Sequence, residues 1–351
     1  MRIAVVGATG NVGTSILRAL AEDPRVESVL GIARRLPQLA VAKTEFRSAD
    51  VGVDPLEHLF EGADAVMHVA WRIQSAHDPG ELERANVLGS QRVFDAVAAA
   101  GVPTLIYSSS IGAYSEGPKE QKVDERWPTG GIPTSLYSRQ KARVERILDE
   151  FEATHAGVRC VRMRPALIFK RDAATEIRRL FVGPWVPRFL FARSLLKVVP
   201  YHPRLCFQAV HSFDVGEAFR LALAPNIRGA FNLASQPVLN SAVLAAAFGA
   251  RLVPTSAGLM HGLAAATWRL RLQHSDPGWV DLCLQSPLVD PTRAHTELGW
   301  KPTFSGLEAL MELLDGIRDG AGIATPPLAP PWRITANTRG TKRSRDAESA
   351  P

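Results

Sequence analysis

The sequence predicts an α/β fold, a doubly wound parallel sheet, from three observations. Short apolar runs alternate with helical patterns through the first 165 of the 351 residues. Those runs lack polar alternation, as strands covered on both faces require. The first of them leads directly into a glycine turn and an amphipathic helix.

Ile3 to Val6 is the first strand, followed by Gly7-Ala8-Thr9-Gly10-Asn11-Val12-Gly13. A helix from Thr14 to Glu22 places Ile16, Leu17 and Leu20 on one face. Strand, glycine turn and helix in this order are the start of a Rossmann-type sheet. The spacing is G-x-x-G-x-x-G rather than the commoner G-x-G-x-x-G, but the physics is shared. Gly7 permits the tight turn, Gly10 lets backbone approach a pyrophosphate, and Gly13 lets helix pack close to strand. The helix N-terminus offers free N–H groups to the anion. Gly7, Thr9, Gly10, Asn11, Val12 and Gly13 are therefore expected to hold a dinucleotide.

The second strand, 26–35, ends in Ala33-Arg34-Arg35 with no carboxylate. An acidic residue there would bond ribose hydroxyls, whereas arginine suits a 2′-phosphate, so Arg34 predicts NADP rather than NAD. The third strand, 44–51, ends at Asp50 and Val51; the fourth, 63–71, ends at Val69, Ala70 and Trp71. Glu81 to Ala100 has helical spacing and stops at Gly101. The fifth strand, 102–110, ends in Ser108-Ser109-Ser110. A polar loop, 116–133, leads to a helix over 135–148 in which Tyr137 and Lys141 share a face. The sixth strand, 158–164, closes at Pro165. Ligands of such sheets lie beyond the carboxyl ends of the strands, where Gly7, Asp50, Trp71 and Ser110 all fall.

Composition is that of a globular chain, 46% hydrophobic and 22% charged. Cys160, Cys206 and Cys283 form neither a disulfide framework nor a zinc pattern, so a reducing, cytoplasmic compartment is expected and no metal. The first strand begins at once, so no signal peptide is expected. The charge-free run 229–250 contains Asn232, Gln236, Pro237 and Asn240 and is not read as a membrane span. Half of the +6 net charge lies from Arg333 onward, in Arg333, Arg339, Lys342, Arg343 and Arg345 against Asp346 and Glu348. The expected partner is thus a small molecule rather than nucleic acid.

Taken together, these motifs resemble the extended short-chain dehydrogenase/reductases, the NAD(P)-dependent epimerase/dehydratase family. Besides the glycine turn they comprise the serines before Tyr114, Tyr137-x-x-x-Lys141, Arg164-Pro165, Val210-His211-Ser212-Phe213-Asp214-Val215, and Asp290-Pro-Thr-Arg with Leu298-Gly299-Trp300-x-Pro302. The resemblance implies a cofactor domain over 1–165, its sheet completed by about 205–235. It implies a smaller C-terminal substrate domain from 166–204 and 236–318, and leaves a homodimer open. Residues 319–351 are expected to be a disordered basic tail.

Ser110, Tyr137 and Lys141 align with the family's catalytic residues. A phenol at its ordinary pKa of about 10 is a poor base, and a neighbouring ammonium lowers that value. Lys141, one turn from Tyr137, is expected to do this and to bond the nicotinamide ribose. Ser108, Asn86 and Pro165 match positions near the cofactor. His68 and His211 are expected to be structural. Trp71 replaces a small residue, Ser115 and Lys170 replace glycines, and the R-x-x-N-x-Y-G-P of sugar epimerases is absent. The expected activity is hydride transfer at a secondary alcohol or ketone, with the Phe-, Leu- and Trp-rich segment 178–202 open to three uses: a lipophilic substrate wall, a membrane-surface patch or plain packing. A nucleotide-sugar epimerase or dehydratase and a non-catalytic NAD(P)-sensing protein stand as the other readings.

Overall fold

The β1 strand (Arg2–Val6) lies near the middle of a seven-stranded parallel sheet because its alternating side chains are apolar on both faces. Ile3 and Val5 face one core, Ala4 and Val6 the other. The computed structural model describes residues 1–73, 77–183 and 186–330. After β1 come α1 (Asn11–Glu22), β2 (Ser28–Ala33), β3 (Thr44–Ser48), α2 (Glu57–Phe60) and β4 (Ala65–His68). They lead to α3 (Pro79–Glu83), α4 (Gly89–Ala99), β5 (Thr104–Ser108), β6 (Lys122–Val123), α5 (Leu136–Thr154) and β7 (Arg159–Pro165). The second half contains β8 (Leu167–Phe169), α6 (Ala174–Ile177), β9 (Val198–Tyr201), β10 (Cys206–His211), α7 (Ser212–Leu221), β11 (Gly229–Leu233) and β12 (Ser235–Asn240). It ends with α8 (Ser241–Phe248), β13 (Arg251–Pro254), α9 (Ala257–Arg269), α10 (Gly278–Gln285), β14 (Leu288–Val289), α11 (Thr292–Thr296) and α12 (Gly306–Asp319).

The large sheet runs β11-β7-β5-β4-β1-β2-β3. On one face α1 and α7 bury Ile16, Leu17, Leu20, Val215 and Phe219. On the other, α4 and α5 bury Val93, Phe94, Val144 and Leu148. Both faces are covered, as the unbroken apolar strands require.

Four details differ from the sequence reading. Helix α1 starts at Asn11, three residues early, so the glycine turn ends inside its first turn. The single helix expected over 81–100 is α3 and α4 joined by a π turn, Arg84–Leu88. The expectation that the sheet is completed over about 205–235 holds for β11, which pairs with β7. It fails for β10, which pairs with β8 and β12 in a separate three-stranded sheet. An apolar run reads the same in either sheet, because register is set by distant partners. Finally, Asp319 ends α12, and residues 320–330 pack on the body rather than forming a disordered tail. Leu328 is fully buried, and Ala321 and Ala324 accept hydrogen bonds from Thr175 and Gln38. The rest of that expectation, 331–351 with its basic residues, lies outside the described residues.

The two late motifs clasp each other. The Trp300 indole N–H donates to Asp214 O at 2.7 Å, and the Asp214 carboxylate accepts from Thr303 N and Phe304 N. Their role here is packing of α7 against the chain before α12.

Candidate active site

The carboxyl ends of β1 to β5 and β7 open on a cavity of about 1000 Å³. The residues singled out for cofactor and catalysis all line it: Gly7, Thr9, Gly10, Asn11, Val12, Gly13, Arg34, Asp50, Val51, Val69, Ala70, Trp71, Asn86, Ser108, Ser110, Tyr137, Lys141 and Pro165. Their convergence follows from topology, since parallel strands place every C-terminal end on one edge.

The three glycines differ in what demands them. At Gly7, with φ +93°, a Cβ would lie 2.5 Å from Ala70 N; at Gly13 it would lie 2.2 Å from Gly7 O. Both are required by the protein's own backbone. At Gly10 a Cβ would meet only Gly7 O, at 3.6 Å, and would otherwise project into the cavity. The space Gly10 leaves is thus room for a ligand, at the N-terminus of α1. Asn11 Nδ2 donates to Ile168 O, while its buried Oδ1 has no partner. Beneath this turn the buried Lys170 ammonium donates to Asn11 O, Thr14 Oγ1 and Ser15 Oγ. Burial pulls Lys170 down to about 8, against the pull of Asp172 and Glu176. These residues fit a dinucleotide. The free N–H groups and Gly10 would take the pyrophosphate, Arg34 and Asp50 the adenosine end, and Ser108, Tyr137, Lys141 and Pro165 the nicotinamide end.

Tyr137 and Lys141 stand on the first two turns of α5, whose start is capped by the Ser135 hydroxyl. Burial pushes the Tyr137 phenol up to about 12, and a hydrogen bond with Ser110 opposes the rise. The Ser110 hydroxyl also accepts from Gly112 N at 2.9 Å, which fixes its orientation. Lys141 is placed differently from expectation. Its ammonium donates to Ser108 O at 2.8 Å and lies 3.5 Å above the Trp71 ring. Burial drives its pKa well below the ordinary value, with Glu145 opposing. The phenol-lowering contact between Lys141 and Tyr137 is therefore not made in this state.

Asn86, in the π turn, is buried and spent on internal bonds. It accepts from Arg72 N and donates to Arg72 O and Gln140 Oε1. It holds the chain after β4 against α5, next to Lys141. His68 Nε2 pairs with Ser90 and His211 Nε2 with Glu312, and both rings pack inside the body. Ser115 accepts from Gly130 N. No cluster of His, Cys, Asp or Glu suited to a metal occurs among the described residues.

The support beneath the site went unread in the sequence. Glu145 is fully buried, two turns after Tyr137 on the same face. It accepts from Ser109 Oγ, from Arg164 Nε at 2.8 Å and Nη2 at 3.0 Å, and from Arg162 Nη1 at 3.0 Å. Burial raises its pKa, but the Arg164 bonds and charge, with Arg162 and Ser109, outweigh that and hold it at about 2. Arg164 also reaches Tyr114. This network ties the serine loop, α5 and β7 together. Its signal was a carboxylate on the Tyr137–Lys141 face of the helix, opposite a strand carrying two arginines.

Beyond Tyr137 the cavity turns apolar. Trp279 lies 4.9 Å from the Tyr137 ring and 4.9 Å from Phe181, with Leu180, Phe207 and Leu282 alongside. Lys119 reaches this end and donates to Cys206 O and Cys283 O. The second carbonyl belongs to the last turn of α10, where Pro287 offers no N–H.

A parallel sheet whose strand ends gather a glycine turn, Ser110, Tyr137 and Lys141 around one cavity has the architecture of a nucleotide-cofactor enzyme. The chain belongs to the NAD-dependent epimerase/dehydratase family, whose model matches residues 3–233. An uncharacterized protein of Mycobacterium tuberculosis is 27% identical over 337 residues, covering 95% of this chain but 32% of its own length. A 4-hydroxy-2-methyl-3-oxo-4-farnesyl-3,4-dihydroquinoline-1-oxide ketoreductase of Stigmatella aurantiaca is 28% identical over 195 residues, 54% of this chain and 57% of that one. The chain thus spans a third to somewhat over half of these relatives. In fold it resembles Thermus thermophilus UDP-glucose 4-epimerase in complex with NAD, with a TM-score of 0.65 at 21% identity over 91% of this chain and 99% of that one.

Proposed function

We propose that the protein is an NAD(P)-dependent oxidoreductase acting at a secondary alcohol or ketone on a lipophilic ring, through Ser110, Tyr137 and Lys141. The observation that carries this reading is the Trp279–Phe181–Leu282 wall above the Tyr137 ring. Polar sugar would leave that wall dry and its own hydroxyls unpaired. The lipophilic substrate named for the S. aurantiaca ketoreductase agrees with it. A bound nicotinamide supplies or takes the hydride. Ser110 would orient the substrate oxygen, and Tyr137, protonated at neutral pH, would donate a proton to that oxygen in reduction. Lys141 would hold the ribose. Exposed Arg34 favours NADP(H).

The test is a panel of cyclic ketones, hydroxysteroids and nucleotide sugars with either cofactor. Tyr137→Phe should lower turnover by about two or more orders of magnitude and leave cofactor affinity nearly unchanged. Lys141→Ala should impair both. Full turnover in Tyr137→Phe sinks the mechanism, and an unchanged cofactor preference in Arg34→Ala sinks the NADP assignment. One observation favours a sugar-nucleotide substrate instead. Arg179, whose Nε is buried without a partner, and Lys119 both line the cavity and could face a diphosphate. Tight binding of UDP alone would turn the choice that way.

A further inference from the structure

We propose that one lobe of the protein is a docking surface for an anionic lipid bilayer. Residues 177–213 and 218–275 contain eleven Lys and Arg and no Asp or Glu, so all 35 acidic residues lie elsewhere. Their parts around 178–201 and 241–275 form one lobe, while β10, β11 and the end of α7 belong to the sheets and the main core. Strands β9 and β13 pair in register from Val198 with Arg251 to Tyr201 with Pro254. Ser275 Oγ donates to Leu180 O, and Gly183 sits so close to Leu272 that a Cβ would lie 2.2 Å from its carbonyl oxygen.

The same lobe gathers the exposed apolar side chains. Of the fifteen large exposed hydrophobics among the described residues, eleven fall in 189–201 and 252–272. Phe189 is 62% exposed, Leu263 58% and Leu270 69%. No residue of helix α9 is fully buried. One face of the helix rests on the body, where Trp268 stacks on His77, and the opposite face, with Leu259 and Leu263, is an apolar surface left uncovered. Arg188, Lys197, Arg251, Arg269 and Arg271 are exposed beside these side chains. No carboxylate pairs with any of them among the described residues, whereas Arg193 at the edge reaches Asp315 of α12.

Apolar side chains set among unpaired cations match a bilayer carrying anionic headgroups, where each basic residue adds attraction and each apolar one inserts. Charge argues against a second copy. A two-fold contact through this lobe would bring like charges face to face, with no acidic residue in either stretch to answer them. Phe181, Val182 and Phe191 of the lobe line the cavity while Phe189 and Leu190 face out, so the cavity ends at the proposed contact. Delivery of a lipophilic substrate along that path rests on the proposed reaction; the docking itself does not.

The experiment is co-sedimentation of the full chain with phosphatidylcholine vesicles, with and without a third of phosphatidylglycerol. Binding to the anionic vesicles should exceed that to the neutral ones by about tenfold or more and fall as salt rises. Leu263→Asp with Leu270→Asp should remove it while leaving Tm and cofactor affinity unchanged, since both side chains are exposed. Arg269→Gln with Arg271→Gln should weaken it by roughly fivefold per charge. A chain ending at residue 330 should bind as well as the full chain, although five basic residues have gone. Equal binding to both vesicles, binding lost with residues 331–351, or binding that survives the Asp pair would overturn the proposal. So would a dimer that the Asp pair splits in a protein that ignores vesicles.

Discussion

Arginines under α5 and arginines on the acid-free lobe do opposite jobs. Arg162 and Arg164 are buried, and every direction they face offers an acceptor, Glu145 above all. Arg251, Arg269 and Arg271 are exposed with no carboxylate partner among the described residues. The difference shows where charge costs stability. A guanidinium out of water must be paired or the fold loses several kcal/mol, whereas one in water needs nothing. Absence of acid from the lobe is therefore a property of its surface, not a requirement of folding.

The largest expected effect breaks the buried side of this comparison. Glu145→Gln keeps the volume and removes the charge, leaving the buried Arg164 without its carboxylate partner while Arg162 keeps Asp149 and Glu152. It should cost about 3–5 kcal/mol in denaturant titrations. The native protein should show the matching pH dependence. Glu145 is held at about 2, below its ordinary 4.5. Its contribution is then complete above about 4.5 and is lost as pH falls toward 2. Stability that is flat across that window, with Glu145→Gln equally flat and no less stable, would show that the network does not hold the serine loop.

How far was this legible beforehand? The strands were, because a strand buried on both faces must be apolar, and Ile3–Val6 and Leu105–Tyr107 could hardly be otherwise. Gly7, Gly13, Tyr137 and Lys141 were legible because local spacing fixes their geometry. The Glu145 network was not: its partners lie 17 to 36 residues away, and only the folded sheet brings them together. Placement of β10 failed for the same reason, and so did the ammonium of Lys141. Its helix position was readable, but its turn toward Ser108 O and the Trp71 ring depends on the end of β5 and the chain after β4.

The C-terminal boundary gives the next effect. Ending the chain at 330 should leave Tm unchanged. Ending it at 320 removes Leu328, which is fully buried, and should cost about 2–5 kcal/mol, as for a deleted core leucine. Equal Tm for both truncations would restore the expectation of a free tail from 319.

A smaller effect separates fold from ligand within one turn. Gly13→Ala forces a clash with Gly7 O and should lower Tm by several degrees. Gly10→Ala meets ordinary contact and should leave Tm alone while weakening cofactor binding about tenfold or more, measured by tryptophan fluorescence. Cofactor affinity unchanged in Gly10→Ala would mean the pyrophosphate does not approach this backbone.

The smallest effect lies on the exposed side of the comparison. Arg269 ends α9 and Arg271 follows it. Both are exposed, and neither has a carboxylate within reach among the described residues. Arg269 sits where a cation meets the carbonyl end of a helix dipole, which favours it by a few tenths of a kcal/mol in water. Arg271 has a left-handed backbone, φ +55°, which disfavours any side chain but glycine and gives arginine no advantage over glutamine. Replacing both by glutamine should therefore change folding stability by no more than about 0.5 kcal/mol. High salt should alter that difference by no more than a few tenths of a kcal/mol, since only the helix-dipole contact of Arg269 is there to screen. Arg164→Gln, by contrast, leaves Glu145 with fewer donors and should cost several times more. Should the two surface substitutions destabilise the protein as much as the buried one, the lobe's cations have structural partners after all, and the contrast between the two regions disappears.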